Sequence, residues 1–238
     1  MTNLIYLDNT YQFTAKAKYL SSLEQEKGTA IILDQSIFYP QGGGQPADTG
    51  EISSENGIFE VTDTRLSEDG TVLHFGKFKS GNFKAGEEVS LKIDDDKRKL
   101  NARNHSAGHL LDVAVKELGL ATSLKPLKGY HFPDGPYVEY EGALENPSQY
   151  QELLETKIND LIKAQIEVIK TKLNPEEAEK MGIWAPPGKS ARVINFKNFE
   201  GCGCGGTHVE NSKEIGTIKI RKISSKKGKT TIRYSINP

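Results

Sequence analysis

EEVSLKIDDDKRKLNARNHSAGHLLDVAVKELG, residues 87–119, changes period part-way along. Its first eight residues alternate apolar and polar, the mark of a half-buried strand. Asp94, Asp95 and Asp96 follow, residues that cap a helix and favour its positive end. From about Lys97 to Leu118 the spacing is helical. Leu100, Ala107, Leu111, Ala114 and Leu118 fall on one stripe, and Gly119 is a suitable stop.

Upstream the chain reads as β. TAIILD (29–34), GIFEVTD (57–63) and TVLHFG (71–76) are short apolar runs set between QGGGQPADTG, SSENG and SEDG breaks. Short strands with Gly-rich turns suggest a small barrel or sandwich. Downstream the elements mix. GPYVEYEG (135–142) reads as a strand, and Asn146-Pro147 as cap and first residue of an amphipathic helix through Leu154, Ile158, Leu161 and Ile162. IEVIKTKL (166–173) and ARVINF (191–196) read as strands, Asn174-Pro175 opens a short helix, and WAPPG (184–188) reads as a loop. GTIKIRKI and TTIRYSI form a closing hairpin. The expected fold class is α+β: an N-terminal small β-barrel domain over 1–93, with a Gly-rich loop, then an α+β domain over 94–238.

The chain has 238 residues and a net charge of −1, enough length for one large or two smaller cores. No apolar run nears the roughly 20 residues of a membrane span. The N-terminus lacks a basic stretch followed by an apolar one, so a cytoplasmic protein is expected. Charge is uneven, however. Between Ile215 and Pro238 there is no acid, while Lys219, Arg221, Lys222, Lys226, Lys227, Lys229 and Arg233 give +7. Such a hairpin is either a solvated face or a phosphate-contacting surface.

The helix carries H-S-A-G-H. His105 and His109, four apart, share one helix face and suit a single metal ion. GCGCGGTHV (201–209) holds both cysteines of the chain, and Cys204 and His208 are also four apart. Three imidazoles and one thiolate make a tetrahedral Zn²⁺ set. Cys202 competes with Cys204, but Cys204 repeats the spacing of the His pair. A Cys202–Cys204 disulfide would be strained, and a reducing cytosol disfavours it. The zinc-protease motif needs Glu directly after its first His, and Ser106 stands there, so that chemistry is excluded. His74 and His131 have no partner pattern and read as structural.

Taken together, FYPQGGGQPADTG (38–50), NHSAGHLL (104–111), GYHFPDGPYVEYEG (129–142), NPEEAEKMG (174–182) and CGGTHVENSKEIGTIKI (204–220) resemble the alanyl-tRNA synthetase editing domain and its free-standing AlaX-type relatives. The resemblance covers nearly the whole chain and fits the medium-length form. Gln41 stands where the family often has Glu. At 238 residues, no aminoacylation domain is expected beside it.

The resemblance implies a trans-editing hydrolase that deacylates mischarged tRNA(Ala), with serine the usual error and glycine a second. A pocket made for alanine cannot strongly reject an added hydroxyl or a lost methyl, so a second hydrolytic sieve is needed. It implies one Zn²⁺ per chain on His105, His109, Cys204 and His208, and aminoacylated tRNA(Ala) as partner, with no membrane and no nucleotide cofactor. The zinc would activate a water or, fully ligated, anchor the substrate; no carboxylate is named as base. Gly42, Gly43, Gly44 and Gln45 would approach the substrate end across a domain cleft or serve only as a flexible hairpin tip, and Thr207 would contact the seryl group or cap a turn. The basic hairpin would contact tRNA. Two alternatives stay open on the residues alone: a zinc-stabilised RNA-binding module without catalysis, and a zinc hydrolase of a small ester or amide.

Overall fold

A computed structural model describes residues 1–183 and 190–237. The WAPPG loop expected at 184–188 lies outside the described residues. The chain forms two compact units, Met1–Asn101 and Ala102–Pro238.

The first unit runs through β1 (Asn3–Leu4), β2 (Thr14–Gln25), β3 (Gly28–Leu33), β4 (Gln35–Ser36), β5 (Gly50–Ser53), β6 (Gly57–Leu66), β7 (Val72–Gly81) and β8 (Glu88–Ile93). β1 and β4 form a short parallel pair; the rest close into a barrel in the order β2-β3-β7-β6-β5-β8. Alternation is clean in β8, where Val89, Leu91 and Ile93 point in and their neighbours out. Inside, Ile31, Leu33, Ile52, Phe59 and Leu91 are all buried. Gly76 is needed where β7 crosses β6, because a Cβ there would lie 1.8 Å from the Glu60 carbonyl oxygen. The long β2 and the short β5 are absent from the sequence reading; β2 turns only Ala15, Ala17 and Tyr19 inward and leaves Leu20 and Leu23 exposed, so its apolar pattern does not alternate.

The 38–50 loop is pinned by a buried ion pair. Arg98 and Asp48 are both enclosed. The Arg98 guanidinium donates to Asp48 and to the carbonyls of Thr10 and Ile37. Asp48 also accepts the Tyr39 amide. Each guanidinium nitrogen donates to an acceptor, the condition under which burying two charges is tolerated. Gly42 and Gln45 exchange backbone hydrogen bonds, with Gly43 at φ 52° and Gly44 at φ 77° between them. The glycines therefore serve the turn itself, which needs positive φ at both positions.

Helix α1 (Asp95–Glu117) begins in the first unit and continues into the second. Asp94 caps it, its carboxylate accepting the Lys97 amide at 3.0 Å. Leu100 departs from the expected stripe, being 38% exposed. Besides Ala102, the buried positions of that first half are Arg98, Asn101, Asn104, His105 and Ser106, a polar face that an apolar pattern cannot register. Leu110, Leu111 and Ala114 carry the second half into the core.

The second unit continues with β9 (Lys125–Tyr130), β10 (Tyr137–Glu141), α2 (Gln151–Lys163), β11 (Val168–Leu173), α3 (Pro175–Lys180), β12 (Ala191–Phe196), β13 (Cys202–Gly203), β14 (Thr217–Lys226) and β15 (Lys229–Asn237). Two antiparallel sheets result, β14-β15-β10-β9 and β11-β12-β13. α1, α2 and the inward residues of the larger sheet share one core. Asn146 does not cap α2. It sits at φ 49° without a side-chain cap, residues Pro147–Tyr150 form a 3₁₀ turn, and the α-helix starts at Gln151. Asn174 does cap α3, in a reciprocal box with Glu177. The edge of β14 is closed by α2 side chains: Glu155 accepts the Ile220 amide, and Asn159 pairs with both backbone groups of Ile218. Among the described residues no helix is long and apolar enough to cross a membrane.

Candidate metal centre

α1 sets His105 and His109 one turn apart, with ring centroids 5.1 Å from each other. The chain after β13 brings Cys204 and His208 against them. One donor atom from each of these four residues lies within 4.8 Å of the others. Cys204 Sγ is 3.4 Å from His105 Nε2 and 3.2 Å from His208 Nε2. A tetrahedral Zn²⁺ with ordinary Zn–S and Zn–N lengths has S···N edges of ~3.5 Å. Donor types and spacing thus fit a metal ion, and no carboxylate belongs to the group.

The surrounding residues fix these donors. Ser106 Oγ accepts the Val209 amide at 3.1 Å and lies 3.1 Å from His208 Nδ1. With its Nε2 turned to the cluster, His208 carries its proton on Nδ1 and donates it to Ser106, which sets tautomer and ring plane together. Ser106, whose position excludes a protease base, is thus an orienting group. On β12, Arg192 donates from Nη1 to the carbonyls of Cys204 and Gly206, both at 2.8 Å. The Cys204 amide returns a bond to the Arg192 carbonyl, also 2.8 Å. The glycine-rich loop is thereby held against a strand. Its start is itself strand, with Cys202 opposite Ile194.

His131, read from sequence as structural, belongs to this neighbourhood. Its ring stacks on His105 with centroids 4.5 Å apart and 21° between planes. Tyr234 donates its hydroxyl proton to the Asn104 carbonyl, so the same oxygen accepts from His131 Nδ1, each at 2.9 Å. The ring slots between two glycines: a Cβ at Gly108 would lie 2.2 Å from its Cε1, and one at Gly129 2.3 Å from its Nε2. Nothing in its local sequence marks this, because three separate segments build the slot. His74 is structural as expected. It is buried in the barrel, its Nδ1 donating to the Ile31 carbonyl at 2.9 Å and its Nε2 accepting from Ser36 at 2.7 Å.

Burial governs protonation throughout. It lowers all four imidazoles of the neighbourhood, His109 to about 4 and His131 to about 3, and His105 and His208 well below the usual range. Neighbouring rings and Arg192 push His105 and His208 the same way. Neutral imidazoles are the form that ligates metal. The Cys204 thiol is raised by burial, partly opposed by the Gly206 amide and Arg192. Cys202 is exposed as a residue, yet its Sγ lies 3.3 Å from His109 Nδ1, and burial of the thiol raises its pKa to about 12. It stands beside the four-donor group without belonging to it. Asp112, one turn beyond His109, accepts the Tyr140 hydroxyl at 2.6 Å, and burial lifts its carboxyl to about 6.

Other expected contact residues are placed as follows. Thr207 is fully buried beside His208. Gly42 and Gly43 are exposed and Gly44 half-buried, whereas the Gln45 side chain is enclosed. In the hairpin Lys219, Arg221, Lys222, Lys226, Lys227, Lys229 and Arg233 are all exposed. Lys229 is paired with Glu139 at 3.1 Å, and Arg221 donates to Ser235.

Comparison with known proteins agrees with these observations. Residues 3–97 match the family model of class II (A) tRNA synthetases, and 191–233 that of the threonyl and alanyl tRNA synthetase second additional domain. The chain is 29% identical to an alanine–tRNA ligase of Clostridioides difficile over 97% of its own length but 28% of the ligase. It is 31% identical to that of Leptospira borgpetersenii over 94% of its length and 23% of the ligase. It thus spans about a quarter of these ligases. It is 37% identical to the alanyl-tRNA editing protein AlaX-M of Pyrococcus horikoshii, over 94% of this chain and 93% of that protein. With this end-to-end likeness, and with its four-donor cluster on H-x-x-x-H and C-x-x-x-H, the chain belongs to the family of AlaX-M-type alanyl-tRNA editing proteins.

Proposed function

We propose that this chain is a trans-editing hydrolase that cleaves the ester of mischarged tRNA(Ala), chiefly Ser-tRNA(Ala) with Gly-tRNA(Ala) as a second substrate, in the cytoplasm where translation occurs. The observation that carries this reading is the convergence of His105, His109, Cys204 and His208 in a chain alike, end to end, to an alanyl-tRNA editing protein.

The group fits Zn²⁺, because three neutral imidazoles and a thiolate are borderline-soft donors at tetrahedral spacing. Zn²⁺ held there supplies Lewis acidity, which polarises an ester carbonyl or lowers the pKa of water. The chain's own residues do the rest. Ser106 orients His208, the His131 ring holds His105, and Arg192 holds the Cys204 loop. Thr207, buried next to His208, is the hydroxyl we assign to the seryl side chain. The sieve can spare alanine only by gaining binding from the serine hydroxyl. Gly42, Gly43, Gly44 and Gln45 are read as substrate-binding through the backbone of their turn. The +7 hairpin is read as the contact for the phosphates of the acceptor stem.

The test uses Ser-tRNA(Ala) and Ala-tRNA(Ala) beside a His105→Ala, His109→Ala variant. The wild-type protein releases serine and leaves alanine attached, and the variant releases neither. Ser-tRNA(Ala) that survives the metal-loaded wild-type protein refutes the assignment. Binding without cleavage would point to a plain RNA-binding module. Equal cleavage of a small seryl ester would point to a small-molecule hydrolase.

A further inference from the structure

Around His131 the chain alternates sides. His131 turns onto His105, and its two neighbours, Tyr130 and Phe132, stack on each other with centroids 4.5 Å apart and planes 11° from parallel. Tyr130 is the register partner of Tyr137, Tyr137 of Arg233, and Arg233 of Lys222, so one row crosses all four strands of the larger sheet. The Tyr130 and Tyr137 rings are 5.2 Å apart at 18°, and the Arg233 guanidinium lies 5.1 Å from the Tyr137 centroid. Three rings and a guanidinium thus stand face to face on the sheet surface opposite the core. The rings are half-buried and Arg233 is exposed.

This geometry is unlike the aromatic packing of the barrel, where every pair meets edge to face at 63–87°. Edge contacts suit a core, whereas parallel rings at a surface are the arrangement that a planar π-system extends. Among the described residues, no second ring or cation covers Phe132. Charge points to the same class of occupant. Lys125, Lys128, Lys222 and Lys229 are exposed on these strands, and of the acids nearby Glu139 is neutralised by Lys229, leaving Glu141 and Asp134.

We propose that Phe132, Tyr130, Tyr137 and Arg233 form a stacking platform for unpaired nucleobases, occupied by the single-stranded 3′ end of tRNA. The proposal rests on the tRNA reading above and adds to it a named contact. The 3′ end is favoured over an internal loop because Tyr130 and Phe132 directly flank His131, whose ring touches a residue of the donor cluster. Platform and cluster lie on opposite faces of β9, the edge strand of the sheet, so a base stacked there and an ester held at the cluster belong to one strand end that passes round that edge.

The experiment measures binding of the full chain to tRNA(Ala) and to tRNA(Ala) trimmed of its unpaired 3′ nucleotides, across a salt series. Phe132→Leu keeps apolar bulk and removes the π-face. It should weaken intact tRNA roughly five- to hundredfold, the range for loss of one base–aromatic stack, with the salt slope unchanged. Trimmed tRNA should bind wild type and Phe132→Leu alike. Phe132→Trp should keep affinity, and its added indole emission should be quenched by intact but not by trimmed tRNA. Equal weakening on both tRNAs, or no weakening on intact tRNA, overturns the platform. If wild type binds neither tRNA in a salt-dependent way, the tRNA reading falls and the platform with it. If it binds both equally and Phe132→Leu is silent, only the platform falls.

Discussion

Gly108→Ala puts the construction of the metal neighbourhood to a test in which two effects have opposite signs. In an ordinary helix interior, alanine in place of glycine stabilises by about 1 kcal/mol. Here the new Cβ would stand 2.2 Å from His131 Cε1, 2.6 Å from its Nδ1 and 3.2 Å from the Tyr234 hydroxyl. The ring cannot yield cheaply. It is 4% exposed, stacked on His105, hydrogen-bonded to Tyr234 and backed by Gly129. Overpacking of this kind costs about 1–3 kcal/mol, so the net expectation is a loss of up to about 2 kcal/mol. Metal affinity should fall as well, by roughly ten- to hundredfold, the usual consequence of disturbing a group that orients a ligand. Removing the obstacle should reverse the sign: in a His131→Ala background, Gly108→Ala should be neutral to stabilising by up to about 1 kcal/mol. Urea unfolding of the four proteins of this cycle, with a metal titration on each, reads both effects. A gain in stability from Gly108→Ala in the wild-type background would refute the reasoning, and so would an equal loss in both backgrounds.

Other expectations can be checked directly. Cys204→Ala should lower bound metal, while Cys202→Ala should leave it near one ion per chain; equal loss in both would make Cys202 a ligand. His74 is fully enclosed, and burial lowers its pKa from 6.5 to about 4. Its contribution is therefore present above pH 6.5 and lost as the pH falls towards 4, by about 3 kcal/mol in all; unfolding measured from pH 7.5 to 4 should show this slope, and His74→Gln should flatten it. Replacing Lys226, Lys227 and Lys229 with alanine should reduce the salt slope of tRNA binding by about 2–3. An unchanged slope would return the hairpin to a merely solvated face.

How far the sequence carries depends on how local each determinant is. The donor set was legible because two four-residue spacings, His105/His109 and Cys204/His208, each define one face of a short segment. The barrel was legible from alternation and Gly-rich turns, except for the four-residue β5 and for β2, which turns small alanines inward and leaves Leu20 and Leu23 outside. The polar half of α1 was not, because Arg98, Asn101 and Asn104 are buried for what surrounds them rather than for their hydropathy, while Leu100 is left outside. His131 escaped notice because its slot is made by Gly108, Gly129 and Tyr234, which are far apart in the chain. Asn146-Pro147 announced a helix start correctly but not its first turn, since proline accommodates 3₁₀ as readily as α geometry. The row from Phe132 to Lys222 likewise exists only once four strands are in register.

The central claim is that the four-donor cluster, loaded with metal, hydrolyses mischarged tRNA(Ala). Single-turnover release of serine from Ser-tRNA(Ala), followed before chelation, after chelation and after return of one equivalent of Zn²⁺, tests it most directly. The account predicts hydrolysis that disappears and returns with the metal, while Ala-tRNA(Ala) stays intact throughout. Undiminished release of serine by metal-free protein, or equal release of alanine, would contradict it.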